Sequence, residues 1–253
     1  MRQDERAPFT AGLQRARESA YPAGEHVGQE SFVLATEIRR LAGRAGIAPG
    51  VSVLDLCCGT AGPGRLVVAE SGCRYLGLDR SASAVEIARD LAGDLPCRFE
   101  RAEVPPLPEG RVDVVLLLET MLAFPDKRAL LTDVARVLAP GGRFACTVEE
   151  GPPLTPAERT RMPDADTVWL VELPELTALL REAGLTVTWQ EDWSASHAAP
   201  ATALLRSYRA EARAIAEQIG ERALAELVAA HELWSDWLAR GRVRKFAVVA
   251  EQR

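Results

Sequence analysis

A chain of 253 residues and 27.4 kDa, 47% apolar and 26% charged, is long enough to bury one large core, and its make-up sets aside disordered and fibrous classes. Thirty-six acidic against 30 basic residues give a net charge of −6 and a pI near 5.3, which counts against nucleic acid or an acidic membrane as partner. Five cysteines (Cys57, Cys58, Cys73, Cys97 and Cys146) with no ligand spacing to histidine read as reduced core thiols, and no structural metal is expected.

In chain order, Met1 to Arg6 mix charges and lead into no apolar signal core, and the longest apolar run, Val114 to Leu118, is too short to span a bilayer. A cytoplasmic protein without a membrane partner is therefore expected. Residues 1–28 hold one short helical pattern (Leu13, Ala16, Ala20) and a turn-rich segment, Tyr21 to Gly28. Ser31 to Gly43 has the periodicity of an amphipathic helix. After the turn signal Pro49-Gly50, apolar Val51–Leu56 reads as a parallel strand buried on both faces. Helices are then expected at 64–71, 83–91 and 126–138, and strands at 75–78, 97–99, 112–118 and 143–148. This βαβ rhythm implies a doubly wound α/β sheet.

The first strand runs into Cys57-Cys-Gly-Thr-Ala-Gly-Pro-Gly64, where Gly59, Gly62 and Gly64 allow a tight turn beside a ligand and the next helix points its free N–H groups at it. A dinucleotide fingerprint needs glycine at 57, 59 and 62; the chain offers Cys57, Gly59 and Gly62, which keeps a nicotinamide oxidoreductase as a rival reading. Asp79 ends the next strand, twenty residues after Gly59, where a carboxylate can accept from both hydroxyls of a ribose. The plainer reading of Asp79 is a turn cap, with Ser83 and Glu86 as a capping box.

With Asp55 ahead of it, the loop resembles motif I of class I S-adenosylmethionine-dependent methyltransferases, acidic-x-Gly-x-Gly-x-Gly, although its glycine slots hold Cys57, Gly59 and Ala61. Arg111–Glu119 followed by Val134-Ala-Arg-Val-Leu-Ala-Pro-Gly-Gly-Arg-Phe144 is similar to that family's fourth strand, helix and Leu-x-Pro-Gly-Gly turn. Phe99-Glu-Arg-Ala-Glu103 resembles its segment after the third strand, with Glu103 in the slot usually held by aspartate. Gly24-Glu-His-Val-Gly28 is similar to the histidine-bearing segment ahead of motif I in sarcosine and dimethylglycine N-methyltransferases.

The resemblance implies a Rossmann-like doubly wound seven-stranded sheet, order 3-2-1-4-5-7-6 with strand 7 antiparallel. It implies S-adenosyl-L-methionine as cofactor and S-adenosyl-L-homocysteine as product. Asp55, Cys57, Gly59 and Gly62 would hold the methionine end, Asp79 with Arg80 the ribose, and Ala102, Glu103 and Val104 the adenine edge. Tyr21, Gln29 and His26 would border the methionine end.

Beyond the fifth strand, Thr155, Pro156 and Glu158 carry helix-start chemistry, so 151–170 reads as a lid insertion. A helix over 172–183 and a strand over 185–190 follow, with a last strand expected over 243–250. The intervening stretch is too long for a loop, and helices over 201–218 and 221–239 would make a cap within 194–241. One domain over 1–253 is expected, with 1–45 as N-terminal lid helices.

A sulfonium methyl group is already activated, so the enzyme mainly aligns and dehydrates the acceptor, and a base is needed only where a proton must leave. His26, His197 and Glu119 are the candidates for catalytic roles; Glu119, Glu149 and Glu150 end strands at the ligand edge of such a sheet. His231 lies on an apolar helix stripe and reads as a core residue, and the five tryptophans read as packing for lid and cap. The expected activity is methyl transfer to an oxygen, nitrogen or carbon atom of a small-molecule metabolite, by a monomer or homodimer. A donor-binding protein that methylates nothing, such as a cyclase or scaffold, is the alternative.

Overall fold

The computed structural model describes residues 11–253. Seven strands form one sheet in the order β3-β2-β1-β4-β5-β7-β6. They are β1 (Ser52–Leu56), β2 (Arg74–Asp79), β3 (Cys97–Arg101), β4 (Val112–Leu117), β5 (Leu138–Glu150), β6 (Leu185–Asp192) and β7 (Arg244–Gln252). The first five run parallel, and β7 lies antiparallel between β5 and β6. This is the expected order. The centre is built from apolar, β-branched runs buried on both sides, as parallel strands beneath two helical layers must be.

One layer holds α2 (Ala35–Arg44), α3 (Gly62–Ser71) and α4 (Ala82–Ala92), which bury Ile38, Leu41, Val67, Val68, Val85 and Ala88 against the sheet. The other holds α5 (Lys127–Val137) and α7 (Leu173–Glu182), anchored by Leu130, Leu131, Val134, Leu176 and Leu180. Strand β5 starts five residues earlier than its apolar pattern implied. Leu138 pairs with Val112, and the ladder resumes at Arg143 opposite Val114, so the Pro-Gly-Gly turn bulges out of a continuous strand.

The lid helix α6 (Pro156–Arg161) has the predicted start, with Thr155 Oγ1 accepting from Glu158 N at 3.2 Å and Glu158 Oε2 accepting from Thr155 N at 2.8 Å. The cap comprises α8 (Ser194–Ala210), α9 (Ala212–Ile219) and α10 (Glu221–Arg240). Sequence reading began the first cap helix at Ala201, after the proline. The helix instead starts at Ser194 and carries Pro200 inside, which forfeits one backbone bond while the apolar residues beyond it still pack. Helix α1 (Ala11–Ala20) joins the cap: Leu13, Ala16, Ala20 and Tyr21 share a core with Leu204, Tyr208, Ile215 and Leu224.

Candidate functional site: a crevice at the carboxyl edge of the sheet

A crevice of about 820 Å³ opens where β1, β2 and β4 end, bounded by the Gly59 loop, the 28–33 strap and the turn before α5. Asp55 on β1 pairs in register with Gly77 on β2, so Asp55 and Asp79 stand at the tips of neighbouring strands, and both line it. Asp79 binds the loop directly: Oδ2 accepts from Gly59 N and Oδ1 from Ser81 N, each at 2.8 Å. Each oxygen keeps a second lone pair for a ligand. The cap of α4 is Ser81, which accepts from Ala84 N, and not the Ser83/Glu86 pair read from sequence.

Asp55 is buried and accepts the Tyr75 hydroxyl. Burial pushes its carboxyl up to about 7, against the opposing pull of that hydrogen bond and with some repulsion from Asp79.

The loop keeps left-handed backbone where its glycines are missing: φ is +57° at Cys57, +54° at Gly59 and +56° at Ala61. Two β-carbon-bearing residues there cost about 1–2 kcal/mol each. The other two glycines have a different job from the expected one. A β-carbon at Gly62 would collide with the Val27 carbonyl of the strap, and one at Gly64 with the Tyr75 ring. Gly62 and Gly64 therefore permit close packing, and only Gly59 shapes the ligand-facing turn.

Of the sequence-predicted residues, Gln29, Asp55, Cys57, Gly59, Gly62, Asp79, Arg80, Ala102, Glu103, Val104 and Glu119 border the crevice. Tyr21 does not: it is buried against the cap and donates its hydroxyl to Ser31 O. The Gln29 amide is consumed in tying the strap, accepting from Val27 N at 2.6 Å and donating to Glu25 O and Val33 O at 2.8 Å. His26 lies outside the lining, with Nε2 3.3 Å from Gln29 O and its ring tilted against Tyr21. His197 is in the first turn of α8, not in a loop, and is fully buried; its Nε2 meets Glu37 Oε2 at 3.0 Å, while Nδ1 lies 4.0 Å from Glu119 Oε2.

Glu119 is the junction of a buried charge network. Its backbone is left-handed (φ +60°), and its N–H donates to Thr147 Oγ1 at 2.6 Å. Its carboxylate lies 2.6 Å from Lys245 Nζ, and Lys245 also donates to Glu149. Burial alone would raise the Glu119 carboxyl, but Lys245 and His197 outweigh it and hold the group below its ordinary value. Glu149 goes the other way, raised by burial and by Glu119 despite Lys245. Sequence reading missed Lys245 and Glu37, since Glu37 falls in an ordinary amphipathic helix pattern and Lys245 follows Arg244 at the polar start of β7. Glu150, itself buried, pairs with the exposed Arg244, outside the lining.

The strap and the turn before α5 add Glu30 and Asp126 to the lining. Glu30 holds Arg17 of α1 at 3.2 Å. Glu30 and Glu119 are matched by Arg17 and Lys245, and Asp55 is raised to about 7, which leaves Asp79, Glu103 and Asp126 facing Arg80, a lining that still favours a ligand carrying positive charge. Among the described residues no cluster of side chains could hold a metal, and no helix is long and apolar enough to cross a membrane.

Comparison with known proteins agrees with this geometry. Residues 54–146 match the methyltransferase domain family. The chain is 36% identical over 166 residues to the 27-O-demethylrifamycin SV methyltransferase of Amycolatopsis mediterranei, covering 61% of each chain. It is 33% identical over 153 residues to an uncharacterized methyltransferase of Synechocystis, covering 56% of this chain and 69% of that one. The match thus spans about three fifths of the first relative's length and about two thirds of the second's. The fold is shared with a putative sarcosine dimethylglycine methyltransferase of Galdieria sulphuraria, at TM-score 0.80 and 17% identity over 95% of this chain and 97% of that one. It is shared too with the [4+2]-cyclase SpnF, at TM-score 0.78 and 19% identity over 98% and 94%. With these similarities on a 3-2-1-4-5-7-6 sheet, the chain belongs to the class I S-adenosylmethionine-dependent methyltransferases.

Proposed function

We propose that this chain methylates an oxygen, nitrogen or carbon atom of a small-molecule metabolite in the cytoplasm, using S-adenosyl-L-methionine. One observation carries the reading: Asp55 and Asp79, on adjacent strands, open onto a single crevice across the Gly59 turn. The donor, when bound, supplies a methyl group on a sulfonium centre. Everything else is the work of the chain.

The free lone pairs of Asp79 accept from the ribose hydroxyls, Glu103 accepts from the adenine amino group, and Asp55 with the 57–62 loop holds the methionine end. The acidic lining complements the sulfonium charge. Glu119 forms the wall beyond, and His197 reaches the crevice only through Glu119, as a positioning residue. Lid and cap exclude water from the reacting atoms.

Calorimetry with S-adenosylhomocysteine tests the donor site. Asp79→Ala should weaken binding by ~1–3 kcal/mol, roughly ten- to hundredfold, by removing charge-assisted hydrogen bonds; unchanged affinity removes Asp79 from the site. Labelled donor with a panel of phenols, alcohols and amines tests transfer, with 27-O-demethylrifamycin SV as a first probe because the Amycolatopsis relative is named for it. Tight donor binding without transfer to any acceptor would favour the non-methylating alternative, whose fold-level precedent is the cyclase SpnF.

A further inference from the structure

Glu119 lines the crevice, and its carboxylate is held from behind by two partners. Lys245 Nζ lies 2.6 Å from Oε1, and the Thr147 hydroxyl adds a hydrogen bond. An ammonium in contact with one oxygen keeps the group ionised, below its ordinary value, despite the burial that works against it. An ionised carboxylate has about four lone-pair sites, so Lys245 and Thr147 leave acceptor capacity unused.

On the other side stands His197, fully buried in the first turn of α8. Its Nε2 lies 3.0 Å from Glu37 Oε2, and a carboxylate can only accept, so Nε2 carries the hydrogen. Glu37 is fixed in turn by Leu34 N at 2.9 Å and by the Ser196 hydroxyl. In the neutral ring Nδ1 is then a bare lone pair. It has no hydrogen-bond partner among the described residues, and it lies 4.0 Å from Glu119 Oε2. Two acceptors thus face each other in the interior, an arrangement that one added proton would satisfy. A relative shift of about 1 Å brings them to hydrogen-bond distance.

We propose that Glu119 accepts the proton of an acceptor hydroxyl during methyl transfer, and that the methylated atom is the oxygen of a phenol or alcohol. This deepens the methyl-transfer reading and rests on it. In the step, an oxygen lone pair forms the new O–C bond and the S–C bond breaks with its electron pair left on sulfur. The O–H pair stays on oxygen as the proton passes to Glu119 Oε2. A neutral ether, a neutral thioether and a protonated Glu119 result, and the new carboxyl hydrogen has the empty nitrogen of His197 beside it.

The choice of oxygen follows from the strength of the base. An ammonium must lose a proton before its nitrogen has a lone pair to offer, and a carboxylate held ionised by Lys245 is too weak a base for that. A hydroxyl already has lone pairs and turns strongly acidic only as the O–C bond forms, when a weak carboxylate takes its proton. A carbon nucleophile gives the carboxylate no hydrogen to hold beforehand.

The test uses the full chain saturated with S-adenosylhomocysteine and two phenols whose absorbance reports their ionisation, 4-nitrophenol and 4-methylumbelliferone. A neutral hydroxyl held by Glu119 resists ionisation, so each bound phenol should titrate at least one pH unit above the free one, a tenfold change in its ionisation constant. Glu119→Gln should bring the titration to or below that of the free phenol, because Lys245 then faces the site without its carboxylate. His197→Phe should keep the raised titration, because the hydroxyl meets Glu119 and not the imidazole. A cooperative thermal transition, raised by S-adenosylhomocysteine, shows that each variant folds. Equal titration of bound and free phenol in wild type, read without any variant, overturns the proposal. So does a raised titration that survives Glu119→Gln, absence of saturable binding by either phenol, or transfer of labelled methyl to amines or carbon in preference to hydroxyls. Failure of S-adenosylhomocysteine to bind wild type instead strikes the donor reading, and this proposal with it.

Discussion

Asp55 illustrates how one residue serves the site at the expense of the fold. Its folded-state pKa is raised to about 7 from 3.8, so between those values the folded protein holds a proton that the unfolded chain has shed. Stability is fully retained below about pH 4 and is lost as pH rises through 7, by on the order of 4 kcal/mol at ~1.4 kcal/mol per pH unit. Asp55→Asn keeps an acceptor for Tyr75 and removes the titration. Urea unfolding from pH 4 to 8 should show this decline in wild type and not in the variant. Asp55, Gly59 and Asp79 were legible in the sequence because a strand–turn–helix unit fixes their placement through local spacing. The roles of Tyr21, Gln29 and His26 were not, since a strap's path depends on what it packs against.

Most secondary structure elements followed their apolar periodicity, but the single helix expected over 201–218 is two, α8 from Ser194 to Ala210 and α9 from Ala212 to Ile219. Helix α3 shows what the periodicity concealed. Its first turn is glycine-rich because the Val27–Gly28 strap and the Tyr75 ring press against Gly62 and Gly64. Gly64→Ala should destabilise the protein by about 1–3 kcal/mol through overpacking, measured by urea unfolding, since the β-carbon lands on a fully buried ring. The Tyr75 hydroxyl that donates to Asp55 would move too, so donor affinity should fall in the same variant.

Across the whole molecule, five side chains from four elements and one turn meet at the inner wall of the crevice: Glu37 of α2, Glu119 of the turn after β4, Glu149 of β5, His197 of α8 and Lys245 of β7. The network joins cap to sheet, and Lys245 is its shared cation. Lys245→Met leaves Glu119 and Glu149 buried without that charge, an expected cost of about 3–5 kcal/mol at neutral pH. Glu119 would then rise above its unfolded value and Glu149, already above it, would rise further, so the deficit should shrink as pH falls toward 5. Denaturant midpoints of wild type and variant at pH 5 and 7.5 measure this; a deficit unchanged by pH would assign the loss to packing.

The sequence by itself determined the α/β class, the strand-end carboxylates and the glycine turn, together with helical insertions after β5 and between β6 and β7. All of these rest on short-range spacing and on the periods of buried helices and strands. Only the tertiary structure decided which glycines pack and which one turns. It also decided that His197 is buried in a charge network and that Lys245 binds two strand ends. Those outcomes depend on side chains more than a hundred residues apart meeting in a dry interior, where each polar group must find a partner, and linear pattern carries no record of such meetings.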